Sequence, residues 1–191
     1  MSSPAPEEKK ALRRAMLDRQ RALSEAERAT LIGSLTQALL RFPTYKKARK
    51  ILAYLSLPGE ADLDDFIRAA LAEGKEIYVP VCLPDFQMEA GRLLDMEHFA
   101  KGPYGLRDLL PGYETARPED LDWVLVPAVA VDVSGHRLGR GAGYYDRFLS
   151  RVSKEKRVAV VWDFQLTEIV PAEDHDLPMG AVITEKRSIV F

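Results

Sequence analysis

Four of the chain's 12 glycines fall within nine positions of the last third of the sequence. They are Gly135, Gly139, Gly141 and Gly143. An apolar run at residues 123–131 precedes them, and Tyr145, Phe148 and Leu149 follow at the spacing of a helix face. A strand, a glycine-rich turn and a helix are therefore predicted in this order. The other elements have to pack around this unit.

The glycine-rich turn predicts a binding site for an anion. Backbone without side chains lets a phosphate approach closely, and the free N–H groups of a helix start point toward it. Interleaved arginines add fixed positive charge; they are Arg137, Arg140 and Arg147. The turn is not a P-loop, because no Gly-Lys-Ser/Thr closes it, and its spacing does not fit the dinucleotide-binding fingerprint. A purely structural turn is the alternative interpretation.

The composition favours one soluble domain spanning residues 1–191, with residues 1–6 as a loose tail. No apolar run approaches the roughly 20 residues that a membrane-spanning helix needs, and no signal peptide is expected. The single cysteine, Cys82, excludes an intrachain disulfide and fits the cytoplasm; it is predicted to be a buried small hydrophobe. The net charge of −2 argues against a general nucleic-acid surface.

Short apolar runs alternate with amphipathic segments along the chain. The predicted strands are residues 51–55, 77–81, 88–94, 122–127, 157–162, 181–184 and 188–191. The predicted helices are residues 7–22, a second one opened by the capping box Ser24 and Glu27 and ended by Pro43, a third ended by Gly74, and residues 143–152. This order predicts a three-layer α/β domain whose central sheet is mostly parallel.

In such a sheet, ligands bind outside the carboxyl ends of the strands. Residues 56–60, 127–132 and 163–165 are expected at that edge together with the glycine-rich turn. Asp146, in the first turn of the following helix, is either a helix-start residue or a ligand of Mg²⁺. Asp176 is a candidate second ligand, and His175 is either a base or a loop residue. From spacing alone, Lys9 and Arg13 form a solvated basic helix face.

The segment Arg137-Leu-Gly-Arg-Gly-Ala-Gly-Tyr-Tyr-Asp146-Arg147 resembles the signature of the 5-formyltetrahydrofolate cyclo-ligase family, also called methenyltetrahydrofolate synthetases. We refer to residues 137–147 as the signature segment. Further resemblances follow in the family's order: Lys9-x-x-x-Arg13, Leu55-x-x-x-x-Glu60, residues 125–132, Gln165, Pro171, His175-Asp176 and residues 183–185.

The resemblance implies closure of 5-formyltetrahydrofolate to 5,10-methenyltetrahydrofolate by a monomer that uses ATP and Mg²⁺ and releases ADP and phosphate. The formyl oxygen would attack the γ-phosphate, and N10 would then displace phosphate from the iminium phosphate. The implied ATP-binding residues are Lys9, Arg13, Arg137, Leu138, Gly139, Arg140, Gly141, Ala142, Gly143, Tyr144 and Tyr145. The residues implied to contact the folate are Leu55, Glu60, Arg140 and Tyr144. Of these, Arg140 and Tyr144 would be the catalytic residues. The implied ligands of Mg²⁺ are Asp146 and Asp176. The implied fold is similar to that of sugar-phosphate isomerases and CoA transferases.

The sequence departs from the family pattern outside the signature segment. Asp108 and Leu109 follow Gly105 where Glu-Pro is usual, and Val131 stands where an aromatic is usual, so an altered pocket wall is expected. Gly180 replaces a common aspartate, which predicts a weaker metal site. Two alternatives remain: an enzyme acting on a phosphorylated sugar, and a non-catalytic nucleotide or folate binder. Lys9 and Arg13 favour the ligase over the sugar-phosphate enzyme.

Overall fold

The computed structural model describes residues 6–102, 107–173 and 176–191. The helices are α1 (Pro6–Ala22), α2 (Glu25–Arg41), α3 (Pro43–Lys47), α4 (Asp64–Ala72) and α5 (Tyr144–Leu149). The strands are β1 (Lys50–Leu52), β2 (Glu76–Leu83), β3 (Gln87–Leu93), β4 (Ala100–Lys101), β5 (Arg107–Asp108), β6 (Thr115–Ala116), β7 (Trp123–Pro127), β8 (Ala130–Asp132), β9 (Arg137–Leu138), β10 (Arg157–Val160), β11 (Leu166–Thr167), β12 (Ala181–Ile183) and β13 (Ser188–Val190). The predicted tail, Gly105 and His175 lie outside the described residues, except that residue 6 begins α1.

The central sheet has eight strands in the order β13-β12-β10-β7-β1-β2-β3-β6. Its five middle strands are parallel, because β1 pairs with β2 and β7, and β10 pairs with β7 and β12. The outer pairs β2–β3, β3–β6 and β12–β13 are antiparallel. The predicted mostly parallel α/β sheet is confirmed.

Alternating residues of the strands contribute to two separate hydrophobic cores, one on each face of the sheet. Ile51, Trp123 and Leu125 pack with residues of α2, α3 and α4 on one face. Leu52 and Val124 pack with α5 residues on the other face. Burial on both faces explains why these strands are continuously apolar. None of the helices in the described ranges is long and apolar enough to cross a membrane.

A third, smaller core places α1 beside the site. Met16 of α1 packs with Ala130 and Leu138, which belong to a separate three-stranded sheet of order β11-β8-β9. The basic positions of α1 are therefore carried to the same part of the molecule as the signature segment.

The connection from β7 to α5 is more elaborate than predicted. The apolar run 123–131 is divided into β7 and β8, and β8 forms an antiparallel hairpin with β9 before the chain reaches α5. Gly135 turns this hairpin with φ +90, and a Cβ there would lie 2.9 Å from the Phe191 ring. A positive φ and a close neighbour both require glycine at this position. The predicted single turn is therefore a hairpin followed by a loop.

One helix boundary follows the prediction and another does not. The second helix begins at the predicted capping box of Ser24 and Glu27 and ends at Arg41, immediately before Phe42 and Pro43, as predicted. Pro43 opens the short helix α3, since proline at a first helical position loses no hydrogen bond. Helix α5 ends at Leu149, three residues earlier than predicted.

Candidate active site

A cavity of about 240 Å³ opens at the carboxyl ends of β1, β2 and β7. The segment after β1 contributes Tyr54, Leu55 and Glu60, and the segment after β7 contributes Ala128 and Val129. Residues of the signature segment close the cavity from outside: Arg137, Gly139, Arg140, Gly141, Ala142, Gly143, Tyr144, Tyr145 and Asp146. These three stretches therefore meet at the predicted edge of the sheet.

Asp132 anchors the hairpin that carries the signature segment. Its buried carboxylate accepts bonds from the backbone N–H groups of Ser134, His136 and Val170 at 2.9–3.0 Å and contacts His136 Nδ1 at 3.0 Å. Burial alone would raise the pKa of Asp132, but these partners outweigh it and lower the pKa. The hairpin therefore depends on an ionised aspartate.

Glycines shape the loop between β9 and α5. Gly141 and Gly143 have φ values of +101 and +77, which side chains rarely adopt. A Cβ at Gly139 would lie 2.8 Å from an Arg137 nitrogen. The loop consequently presents bare backbone at the cavity, as a phosphate-binding turn requires.

The three arginines of the signature segment have different tasks. Arg137, with only 7% of its side chain exposed, pairs through Nη2 with Asp146 Oδ1. Arg140 Nε donates to Glu60 Oε1 at 2.8 Å. Arg147 Nη1 donates to the Asp85 carbonyl at 2.6 Å in the β2–β3 turn, and it is not among the described lining residues. Two arginines therefore serve the cavity and the third supports a neighbouring hairpin.

The Glu60–Arg140 ion pair joins two distant parts of the sequence inside the cavity. The Glu60 side chain is 10% exposed and that of Arg140 is 41% exposed. Glu60 Oε2 also accepts the Leu57 N–H at 3.0 Å, which fixes the carboxylate. Leu55 and Tyr144 line the same cavity, so all four residues expected at the folate are brought together.

Helix α1 contacts the signature segment directly. Arg13 Nε donates to the Gly139 carbonyl at 2.8 Å. Lys9 Nζ lies 3.0 Å from Glu173 Oε2 and 3.1 Å from Asp176 Oδ2. Burial would lower the pKa of Lys9, but the two carboxylates raise it, so its charge is secured. The solvated basic face inferred from spacing alone is therefore wrong, because Lys9 and Arg13 are both partly buried in contacts with distant loops.

The two candidate metal ligands lie on separate elements, Asp146 in the first turn of α5 and Asp176 in the loop before β12. Asp146 lines the cavity with 46% of its side chain exposed. Asp176 contacts Lys9 and accepts the Glu173 N–H at 2.8 Å. Within the described ranges, no group of three His, Cys, Asp or Glu side chains is arranged to hold a metal ion. A metal here would need oxygen ligands from a bound molecule.

Cys82 is not the buried hydrophobe that the sequence predicts. Its side chain is exposed and lines the cavity, whereas its neighbour Val81 is buried. Cys82 lies near the carboxyl end of β2, beside the cavity. Partial desolvation and the charge of Asp108 raise the pKa of the Cys82 thiol.

Three of the departures from the family pattern are not among the described lining residues of the cavity. Arg107 lines it but Asp108, Leu109 and Val131 do not, and the altered pocket wall expected from them stays a prediction. Val131 is fully buried in the core on the α5 face.

Packing explains the glycine at position 180, and the weaker metal site expected from it stays a prediction. The residue lies at the amino end of β12, where its N–H donates to the Arg157 carbonyl at 2.8 Å. A Cβ at this position would collide with the carbonyl oxygen of Lys154. Glycine is therefore required by packing at the edge of the sheet opposite the cavity.

Some supporting residues escaped the sequence analysis or received no role there. Gln165 Nε2 donates to the Ala128 and Val129 carbonyls at 3.0 and 2.8 Å and so holds one cavity wall. Trp162 Nε1 donates to the Gly59 carbonyl at 3.1 Å beside Glu60. Asp132 could have been found from the sequence, because it directly follows an apolar run and lies just before a turn at Ser134-Gly135. No such signal was available for Trp162.

Comparisons with known proteins identify the family of the chain. The family model for the 5-formyltetrahydrofolate cyclo-ligase family matches residues 5–185. The 5-formyltetrahydrofolate cyclo-ligase of Mycolicibacterium smegmatis is 35% identical over 97% of this chain and 98% of that protein. The protein of the same name from Escherichia coli is 30% identical over 88% of this chain and 96% of its own.

Solved structures support the same relation. The NMR structure of Aquifex aeolicus 5,10-methenyltetrahydrofolate synthetase matches with a TM-score of 0.84 and 35% identity, over 95% of this chain and 92% of that one. A synthetase of the same name from Mycoplasma pneumoniae matches with a TM-score of 0.76 at 24% identity, over 93% and 98% of the two chains, which supports the fold. Fold, signature segment and full-length relatives agree, and the chain belongs to the 5-formyltetrahydrofolate cyclo-ligase family.

Proposed function

We propose that the protein catalyses the ATP-dependent closure of 5-formyltetrahydrofolate to 5,10-methenyltetrahydrofolate, with release of ADP and phosphate. The observation that carries this proposal is the Glu60–Arg140 ion pair. It joins a residue expected at the folate to a residue expected at the γ-phosphate within one cavity. A reaction between the formyl oxygen and that phosphate needs such a meeting point.

The cavity has groups suited to both substrates. Leu55, Pro80, Met88 and Val129 offer apolar walls for a flat ring system. Glu60 supplies a fixed carboxylate that can accept N–H groups of the pterin. Arg140, with 41% of its side chain exposed, can follow developing charge on a phosphate.

The chemistry requires positioning more than it requires a reactive side chain. In the first step the formyl oxygen bonds to the γ-phosphorus as the bond to the bridging oxygen of ADP breaks. In the second step N10 bonds to the formyl carbon, phosphate leaves with that oxygen, and N10 loses its proton. Phosphoryl transfer depends on orientation and charge neutralisation, and closing a ring within one molecule depends on orientation. Arg140 and Tyr144 are the catalytic residues in this proposal.

The nucleotide would lie against the signature segment and α1. Arg13 holds the Gly139 carbonyl, and Lys9 holds the loop of Glu173 and Asp176. Both side chains are only partly exposed, so they offer positive charge at fixed places. The remaining members of the proposed ATP set are the residues from Arg137 to Tyr145.

Asp146 and Asp176 would hold Mg²⁺. This ion takes one or two carboxylates and completes its shell with phosphate oxygens and water. One carboxylate from the first turn of α5 and one from a loop, each beside a cation of the proposed nucleotide site, fit that requirement. The ion would supply charge neutralisation on the phosphates.

The proposal also covers the oligomeric state, the localisation and the partners of the protein. We propose a monomer that acts in the cytoplasm, with reduced folate and ATP as its small-molecule partners. The similarity to sugar-phosphate isomerases and CoA transferases remains a prediction about the sheet. Lys9 and Arg13 favour a nucleotide over a phosphorylated sugar. A sugar phosphate carries a single phosphate group, which does not require both of these positive side chains.

The test is the rise in methenyltetrahydrofolate absorbance when the protein is mixed with ATP, Mg²⁺ and 5-formyltetrahydrofolate. We expect the rise to require ATP and to be lost in Arg140→Met. Arg147→Met is the matched control, because this arginine comes from the same segment but contacts the β2–β3 turn. ATP binding without any absorbance rise in the wild-type protein would instead identify a non-catalytic binder.

A further inference from the structure

Arg107 brings a positive charge to the cavity from outside the signature segment. The described lining residues include three arginines, of which Arg137 and Arg140 belong to the signature segment, whereas Arg107 belongs to β5. The Arg107 side chain is 31% exposed, so its guanidinium can be reached from the rim of the cavity. No residue of β5 has a role in the proposed binding of ATP, the folate or Mg²⁺, and this cation therefore needs an explanation.

Two neighbours hold the Arg107 guanidinium in place. Its Nη1 and Nη2 atoms donate to the two carboxylate oxygens of Asp64, in the first turn of α4, at 2.7 and 2.8 Å. The guanidinium carbon lies 5.3 Å from the centre of the Phe99 ring. A guanidinium carries five N–H donors, and these bonds use only two of them. The side chain is therefore fixed and can still donate to a second acceptor.

A second cation shares the face of the hairpin on which Arg107 lies. Strands β4 and β5 are antiparallel, and Lys101 stands directly opposite Arg107. Residues that are directly opposed in an antiparallel pair project from the same face. Lys101 is exposed, and it forms no ion pair within the described ranges. Because Asp64 balances the charge of Arg107, Lys101 gives this face a net positive charge.

The cavity has a deep end and an outer end. Glu60, which is proposed to contact the pterin, is 10% exposed, whereas Arg107 is 31% exposed. The volume of about 240 Å³ is smaller than the roughly 300–1,000 Å³ of pockets that enclose drug-sized ligands. A folate carries its ring system at one end and a glutamate with two carboxylates at the other. With the ring beside Glu60, the glutamate must lie at the rim, where Arg107 and Lys101 are placed.

We propose that Arg107, assisted by Lys101, binds a glutamate carboxylate of the folate and so selects substrates that carry one. This inference rests on the proposed function. Arg107 contacts α4, whereas Arg13 of the proposed nucleotide site contacts the signature segment, so a phosphate is not the expected acceptor. A guanidinium binds a carboxylate through charge-assisted hydrogen bonds. Because Asp64 already fixes the Arg107 side chain, little conformational entropy is lost when the carboxylate binds.

The experiment is a calorimetric titration of the full chain, without ATP, with two ligands. One is 5-formyltetrahydrofolate, and the other is its pteroyl amide, in which a neutral carboxamide replaces the glutamate. We expect Arg107→Met to bind the folate about tenfold more weakly than wild type, the effect of a charge-assisted hydrogen bond partly screened by water. Lys101→Met should weaken folate binding by about two- to threefold, because this side chain is exposed. Both variants should bind the amide and ATP as the wild type does.

Two further variants separate direct binding from mere support of the hairpin. Arg151→Met is the matched control, because Arg151 also donates twice to one carboxylate, that of Glu119, at 2.8 and 3.1 Å, and is not among the described lining residues. It should leave every affinity unchanged. Asp64→Asn keeps Arg107 but removes the competing negative charge, so the preference for the folate over the amide should be retained or increase.

Three outcomes would overturn the inference. They are equal weakening of folate and amide binding in Arg107→Met, unchanged affinity for both ligands in that variant, and loss of the folate preference in Asp64→Asn. The last outcome would show that Arg107 only attaches the hairpin to α4. A wild-type protein that binds neither ligand would overturn the proposed function and this inference with it, whereas wild-type binding of both ligands with equal affinity would overturn this inference alone.

Discussion

The Glu60–Arg140 pair predicts competition between the carboxylate and ATP for one guanidinium. In the free protein Arg140 is bound to Glu60 at 2.8 Å, so a phosphate must replace that contact. Glu60→Gln keeps the shape of the side chain but removes its charge. We therefore expect the variant to bind ATP more tightly than wild type when no folate is present, although it loses folate affinity.

The magnitude follows from the exposure of the two side chains. Glu60 is 10% exposed and Arg140 is 41% exposed, so the pair lies between a surface pair and a buried one. Exposed pairs contribute about 0–1 kcal/mol, whereas breaking a buried pair costs about 3–5 kcal/mol. A value of about 1–2 kcal/mol corresponds to roughly a tenfold change in ATP affinity.

The assay is calorimetric ATP titration of wild type, Glu60→Gln, Arg140→Met and the double variant. In the Arg140→Met background, Glu60→Gln should leave ATP affinity unchanged, because the competing contact is already gone. Arg147→Met, with Glu60 intact, controls for the general loss of positive charge. An ATP dissociation constant that is the same in Glu60→Gln and wild type would refute the competition.

Three further perturbations test other parts of the site. Asp132→Asn should destabilise the fold by about 2 kcal/mol, since an amide cannot accept all of the bonds that the carboxylate accepts. The lowered pKa of Asp132 means that its stabilisation is present above the unfolded pKa of about 4 and is lost as pH falls through the folded value. Unfolding midpoints should therefore depend more steeply on acidic pH in wild type than in the variant. Iodoacetamide should alkylate Cys82 and abolish turnover. The reaction should become faster as pH rises, because the raised pKa keeps the thiol protonated near neutrality. Folate should protect Cys82 from alkylation, and the Cys82→Ser variant should keep its turnover in the presence of the reagent. Asp146→Asn should raise the Mg²⁺ concentration for half-maximal turnover at least about tenfold, and an unchanged Mg²⁺ titration would exclude Asp146 as a ligand.

The sheet and its ligand edge could be predicted because both depend on local patterns. Strands buried on both faces are continuously apolar, and the βαβ order of β1, α4 and β2 dictates parallel pairing. The carboxyl ends of those strands then mark the cavity without knowledge of any side-chain contact.

The contacts across the site could not be predicted from spacing. The Glu60–Arg140 bond spans 80 positions, and the Lys9–Asp176 bond spans 167. Such pairs depend on which strands become neighbours and on how the β8–β9 hairpin directs the loop. Cys82 shows the same limit. An apolar run predicts a buried strand, but it does not predict which residue at the end of that strand is exposed.

The signature segment connects three otherwise separate parts of the molecule. Its Gly139 carbonyl holds Arg13 of α1, and its Arg140 holds Glu60 after β1. Its Arg147 holds the carbonyl of Asp85 in the β2–β3 turn.

That turn is held under strain by the signature segment. Asp85 and Phe86 both have positive φ values, 58 and 56, and non-glycine residues keep such strain only where surrounding contacts impose it. Phe86 packs on Tyr144 with ring centres 5.7 Å apart, so contacts from Tyr144 and Arg147 hold both strained residues. Arg140 contacts the loop after β1, and Tyr144 contacts the β2–β3 turn. The signature segment thus joins the loop after β1 to the β2–β3 turn, and of its two outer arginines Arg140 contacts the cavity whereas Arg147 contacts the turn.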